Sequence, residues 1–302
     1  MRSIFHKVLI LCLSGTLVAA CTGEQPGSGK AGSPASGTLK TAVNSQAAAL
    51  VPGDVKAKGT IVVASASTNA PMEFLAPDGK TLVGFDIDLS DAIAGTLGLK
   101  AEHTASTFDA IIPALQAKRF NLGMSGFFIT PARQKVVDFV PYLRDGSALV
   151  VKAGNPLKLS MDNLMSLCGH RLAGEKGSVQ GIEYLPAISK DCTASGRPAI
   201  TVMMFPELDD AHLALTGGRA DAIMEDSVPS GYRAAKSNGR YEVAPGATYK
   251  PVSTGIALPK GAPLKPAVEA AVNVLASDGT LKRLMAKWSI PDTALLPRTT
   301  GS

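Results

Sequence analysis

From Thr60 onward, short runs of β-branched and apolar residues alternate with longer stretches whose apolar side chains recur every three or four positions. That alternation limits the fold more than any other feature, because it implies α/β units built on mainly parallel sheets. Residues 60–66 read as a strand, 85–97 as an amphipathic helix that Gly98 ends, and 109–118 as a helix with Ile111, Ile112 and Leu115 on one face. A strand follows near 122–125, then a helix entered at Thr130 and Pro131, a hydroxyl cap followed by proline at the first helical position. After a long apolar strand at 147–152 the pattern resumes through 171–173, 181–189, 209–217 and 220–224. It closes with a strand at 253–258 and helices at 264–276 and 279–288, stopped by Pro291. The absence of a fixed-period repeat argues against a solenoid.

A chain of 302 residues is long for one core and suits two lobes. Ahead of the folded region the text changes character. Arg2 and Lys7 precede an apolar run over 8–13, with Leu17 and Val18 beyond it, the pattern of an export signal over residues 1–20. The run is too short for a membrane span and is broken by Ser14 and Gly15, and no later stretch approaches the ~20 apolar residues that a span needs. Leu17 to Cys21 read LVAAC, which resembles the lipobox of bacterial lipoproteins; the resemblance implies acylation of Cys21 and a lipid anchor in the membrane. Residues 22–53, rich in Gly, Ser, Ala, Pro and Thr, hold too little apolar surface to offset ordering, so 21–56 is expected to be a flexible tether. Without Arg2 and Lys7 the net charge falls from +5 to +3, with no basic stripe, so nucleic acid is not implied. Cys12 leaves with the signal; Cys168 and Cys192 remain, and in an oxidising compartment they are expected to form a disulfide.

Six blocks then stand in a familiar order: GFDIDL at 84–89, FDAIIPAL at 108–115, ITPAR at 129–133, VDFVPY at 137–142, GRADAIMED at 218–226 and DGTLKRLMAKW at 278–288. Over about residues 60–290 the chain resembles the polar amino-acid class (family 3) of solute-binding proteins of ABC importers. The resemblance implies a type II periplasmic-binding-protein-like fold of two α/β lobes joined by two hinge strands, closing over a ligand by hinge motion. Lobe 1 would comprise 57–148 plus 254–290, lobe 2 would comprise 149–253, and 291–302 would be a C-terminal tail. Cys168 and Cys192 then fall together in lobe 2 and stiffen it.

In this frame Arg133 takes the position of the family's carboxylate-binding arginine, a role suited to the planar fork of a guanidinium. Backbone N–H groups at Ser125 and Gly126, and at Ser178 and Val179 after Gly177, are expected to serve the same carboxylate. Asp226 matches the family position that receives the ligand ammonium, while Asp221 and Glu225 are expected to face solvent or support a loop. Phe108 should form an apolar wall. Two positions depart from the family: Phe128 stands where Ser or Thr is usual, and Asn69 where Tyr or Phe is common, which points to an unusual amino acid or an amino-acid-like solute with a larger apolar part. His103, His170 and His212 lack metal-ligand spacing, and neither metal nor cofactor is expected. The implied function is capture of an amino acid outside the cytoplasm, at the cell surface or in the periplasm, by a monomer that delivers it to an ABC permease. The competing readings are an exported dehydratase-like enzyme of the same fold and a sensing module for a membrane receptor. Against an enzyme, no GxSxG elbow or HExxH motif is present.

Overall fold

The structure, a computed structural model, describes residues 41–296. A single nine-stranded sheet runs through it in the order Lys100–Ala105, Thr60–Ser65, Leu122–Gly123, Tyr249–Pro259, Val137–Lys152, Ala222–Asp226, Arg171–Glu175 and Thr201–Phe205, with Tyr241–Val243 also paired to Val137–Lys152. Outside the two long central strands the neighbours on the main path are parallel, as the crossover helices require. The central pair, Val137–Lys152 and Tyr249–Pro259, is antiparallel and belongs to both halves. Its register slips between Tyr249 and Val252 and again between Thr254 and Gly255. Bulges of this kind bend paired strands, and these sit where the chain passes from one half to the other. This is a type II periplasmic-binding-protein fold with two hinge strands.

The cores divide accordingly. One joins Ile61, Val63, Phe85, Leu89, Ile93, Tyr142, Ile256, Leu258, Val268, Leu284 and Trp288. In the other half Leu149 and Val151 pack with Leu172, Leu185 and Met224 on one face of the sheet, while Val150 packs with Ala173, Leu215 and Ile223 on the opposite face. Successive strand residues point to opposite faces, so helices cover both sides. Cys168 and Cys192 are disulfide-bonded, 24 residues apart and within the second half.

Two boundaries differ from expectation. The tether does not reach residue 56: Ser45–Ala49 and Gly53–Lys58 are helices, the first capped by the Asn44 side chain accepting from Ala47 N at 3.0 Å. Ala47, Val51 and Val55, four residues apart, are buried in the first core, with Ser45–Ala49 lying on helix Lys265–Ser277. Three small apolar side chains suffice here because they add to a surface already built, which a composition argument does not see. Nor is the segment after 290 a free tail throughout. Asp292–Ala294 forms a turn of 3₁₀ helix, Ala294 is buried, and Leu295 bridges to Leu143. The expected signal peptide over 1–20 and the lipidated Cys21 lie outside the described residues. None of the helices among the described residues is long and apolar enough to cross a membrane.

Candidate functional site

The walls of the cleft come from chain ends of the sheet. In the first half, the chain leaves strand Leu122–Gly123 and runs through Ser125, Gly126 and Phe128 to Thr130, whose hydroxyl accepts from Arg133 N at 3.2 Å and opens the short helix Pro131–Gln134. That cap and Pro131 present Arg133 to the cleft. In the second half, strand Arg171–Glu175 turns at Gly177 (φ +83°) into Ser178, Val179 and a π-helical turn, Gln180–Tyr184, ahead of helix Leu185–Ala194. Strand Ala222–Asp226 ends on Asp226, which stands immediately before helix Ser227–Lys236 without its side chain bonding to the helix N-terminus.

Together these ends line a narrow cavity. All nine residues assigned to the ligand from the sequence, Asn69, Phe108, Ser125, Gly126, Phe128, Arg133, Ser178, Val179 and Asp226, lie on its wall. So do Glu175, Gln180, Leu208 and Glu225, which the sequence reading did not place there. The halves are drawn together across it. Arg133 Nη2 donates to Gly177 O at 3.1 Å, Lys176 pairs with Asp109 at 2.9 Å, and the Thr68 hydroxyl donates to Glu207 at 2.9 Å while accepting from Leu208 N at 3.2 Å. The structure is a closed form.

Arg133 is buried. Its Nη1 donates to Phe128 O at 3.0 Å, and its guanidinium lies 5.3 Å from the Phe108 ring centroid and 5.4 Å from that of Phe127. These rings stack on each other at 4.8 Å, so Phe108 acts as a wall for the guanidinium and Phe127 completes the platform. Desolvation draws the Arg133 pKa down to about 10, against the pull of Asp226 and Glu175, leaving it charged at neutral pH. Two of its five N–H groups are committed to carbonyls, so the fork retains donors for a carboxylate.

Asp226 faces it from the other half. Its Oδ1 accepts from Gln180 Nε2 at 2.7 Å, and the same amide donates to Ser147 Oγ at 2.9 Å. Oδ2 approaches Gly126 so closely that a Cβ there would stand 3.2 Å from it. Burial, then the nearby Asp145 carboxylate, push the Asp226 pKa well above the usual range. An acid so placed gains most from an incoming cation.

Three expectations need correction. Gly126 N donates to Asp86 Oδ2 at 3.1 Å and Ser178 N donates to Glu175 O at 3.1 Å, so these two N–H groups are already spent within the protein. Glu225 does not face solvent: it is buried and pairs with His212 at 2.9 Å, on the face of its strand opposite to its neighbour. Asp221 does tie a loop, accepting from Arg171 N at 2.8 Å and from its guanidinium at 2.6 Å. Phe128, though new at this position, packs mainly into the core of the second half.

Behind the first wall lies a buried acid pair that the sequence did not reveal. Glu73 Oε1 accepts from the Ser125 hydroxyl at 2.7 Å and from Asn69 Nδ2 at 3.1 Å, and Asp86 Oδ2 takes the Tyr142 hydroxyl at 3.0 Å besides Gly126 N. Burial raises both carboxyls, Asp86 to about 6 and Glu73 well above its ordinary value, and among the described residues no lysine or arginine is bonded to either. The pair thus holds Asn69, Ser125 and Gly126 in place from behind.

A two-lobed fold with a closed, charged interlobe cavity defines a solute-binding protein. The sequence profile of the bacterial extracellular solute-binding proteins, family 3, matches residues 61–291, and the chain belongs to that family. It is 32% identical over 247 residues to the arginine-binding protein ArgT of Corynebacterium glutamicum, covering 82% of this chain and 80% of that protein. It is 29% identical to the L-cystine-binding protein TcyJ of Escherichia coli K12, over 78% of this chain and 84% of that protein. Among solved structures, an ancestral arginine-binding protein bound to arginine superposes with a TM-score of 0.69 at 33% identity, covering 76% of this chain and 98% of the other.

Proposed function

We propose that this protein is an extracytoplasmic lipoprotein that captures an amino acid in the interlobe cleft and delivers it to an ABC importer. The observation that carries the reading is a single guanidinium, Arg133, and a carboxylate, Asp226, brought by opposite halves to one closed cavity. Arg133 takes the ligand α-carboxylate through its fork, and Asp226, oriented by Gln180, takes the α-ammonium. Each contact links the ligand to a different half, so binding favours closure, and the hinge strands carry the motion. Relatives named for arginine and for cystine support an amino acid as the guest. The assignment is to binding rather than catalysis, a reading supported by relatives that are named as binding proteins.

The deciding test is a thermal-shift screen of amino acids, opines and amines on a soluble chain of residues 22–302, which keeps every residue of both cores. A stabilising response to α-amino acids, absent in Arg133→Ala, supports the reading; a response to none of them defeats it. The anchor is tested separately, by incorporation of labelled fatty acid into the full chain and its loss in Cys21→Ser. Delivery is tested by co-purification of a permease from membranes, whereas recovery of a receptor kinase alone would favour sensing.

A further inference from the structure

We propose that Glu175 makes this cleft selective for amino acids whose side chain carries a positive charge, a guanidinium or an ammonium, over neutral ligands of the same shape. The proposal rests on the amino-acid reading above and adds the ligand class to it. Glu175 ends strand Arg171–Glu175 on the cavity wall, is 7% exposed, and its Oε1 has no hydrogen-bond partner among the described residues. Lys176, next in the chain, is turned away to Asp109 at 2.9 Å. The charged groups that act on Glu175 are mostly of its own sign: Asp226, Glu207 and Glu225, against Arg233, which is itself engaged with Asp209 at 2.9 Å.

Charge balance across the cavity gives the argument its direction. Among the described residues Arg133 is the one basic side chain on the wall, facing Asp226 and Glu175, with Glu225 matched by His212. An α-carboxylate and an α-ammonium use up Arg133 and Asp226. A neutral side chain then leaves Glu175 buried and unmatched, whereas a cationic one supplies the missing charge and a donor for Oε1. Burial, with Asp226 next, also raises the Glu175 pKa well above the carboxylate range.

The test is calorimetric titration of residues 22–302 with L-arginine, L-lysine, L-citrulline (close in shape to arginine but neutral), L-glutamine and L-cystine. Wild type is expected to bind arginine or lysine at least about 100-fold more tightly than citrulline and glutamine. In Glu175→Gln that ratio should collapse below about 10-fold, by loss of the cationic ligand and with citrulline nearly unchanged. Citrulline or cystine binding wild type as tightly as arginine overturns the proposal, and so does a ratio that survives Glu175→Gln. The wild-type ratio alone decides the matter should the variant fail to fold. If amino acids bind and Arg133→Ala abolishes binding while the ratio is flat, only the role of Glu175 falls. If no α-amino acid binds wild type, the amino-acid reading falls with it.

Discussion

On the proposed function, replacing Arg133 with alanine removes the group that holds the ligand carboxylate. The guanidinium is buried and keeps N–H groups beyond the two spent on Phe128 O and Gly177 O, so in this reading it pairs with the ligand carboxylate at a largely desolvated site. Truncating one member of a buried, hydrogen-bonded charge pair costs about 2–5 kcal/mol, roughly 30-fold to several thousand-fold in affinity. Two charge-assisted hydrogen bonds at about 1.5–3 kcal/mol each put this case in the upper part of that range. Loss of the bond to Gly177 also removes a tie between the halves, which weakens closure further. We expect Arg133→Ala to raise Kd by at least about 100-fold in calorimetry, and Arg133→Lys, which keeps the charge but not the fork, by about 10-fold. Binding by Arg133→Ala within about fivefold of wild type would show that the ligand carboxylate is held elsewhere.

Asp226→Asn should weaken binding by about 30-fold or more, and a methyl ester of the amino acid should be insensitive to Arg133→Ala but not to Asp226→Asn; the reverse pattern would exchange the two roles. Gly177→Ala places a Cβ 2.9 Å from Asp109 Cβ and 3.0 Å from its Cα, in the opposite half and at positive φ, so it should prop the cleft open: the radius of gyration of the loaded protein in small-angle scattering should rise towards that of the empty form, and an unchanged value refutes the wedge. Buried carboxyls at Glu73 and Asp86 bind protons more tightly folded than unfolded, so their contribution to stability is complete below about pH 4 and declines as pH rises, that of Asp86 being lost as pH passes through about 6. The Tm of the ligand-free protein should therefore fall as pH rises from about 4 through about 6, and Glu73→Gln should flatten that slope. Reducing Cys168–Cys192, which closes a loop spanning a separation of 24, should cost about 3 kcal/mol in denaturant unfolding, leaving ligand affinity within about twofold; a large affinity loss would place the bridge in the hinge mechanism.

Much of the architecture was legible because it depends on periodicity. The helices at Phe85–Thr96, Lys265–Ser277 and Thr280–Lys287 and the strand Thr60–Ser65 lie close to their expected places, since each carries its own apolar pattern and stop signal. Edge strands were not: Lys100–Ala105 (KAEHTA) has a largely exposed side-chain pattern, and only its pairing with Thr60–Ser65 makes it a strand. Strand Thr201–Phe205 went unread for a similar reason, and the first ten residues of Val137–Lys152 were obscured by Pro141, Asp145 and Gly146.

On the cavity wall, Arg133 and Asp226 were readable because recurring blocks surround them. Glu175 and Gln180 were not, since an acid ending one strand and an amide in a π-helical turn have no local mark of their own. A signal did exist for Glu175: it is the last strand residue before a Gly-containing turn, at the carboxyl end of a parallel strand, where ligands of α/β sheets gather. For Glu73 and Asp86 no sequence signal sufficed. Their pairing joins segments brought together only by tertiary packing.

The most direct measurement is a crystal structure of residues 22–302 grown with L-arginine. We expect the α-carboxylate within about 3 Å of the Arg133 guanidinium, the α-ammonium within about 3 Å of Asp226, and the guest's own guanidinium reaching Glu175. Ligand density in the larger hollow beside Arg144, Tyr232 and Thr248 on the hinge side, with Arg133 and Asp226 still facing only protein, would contradict the account.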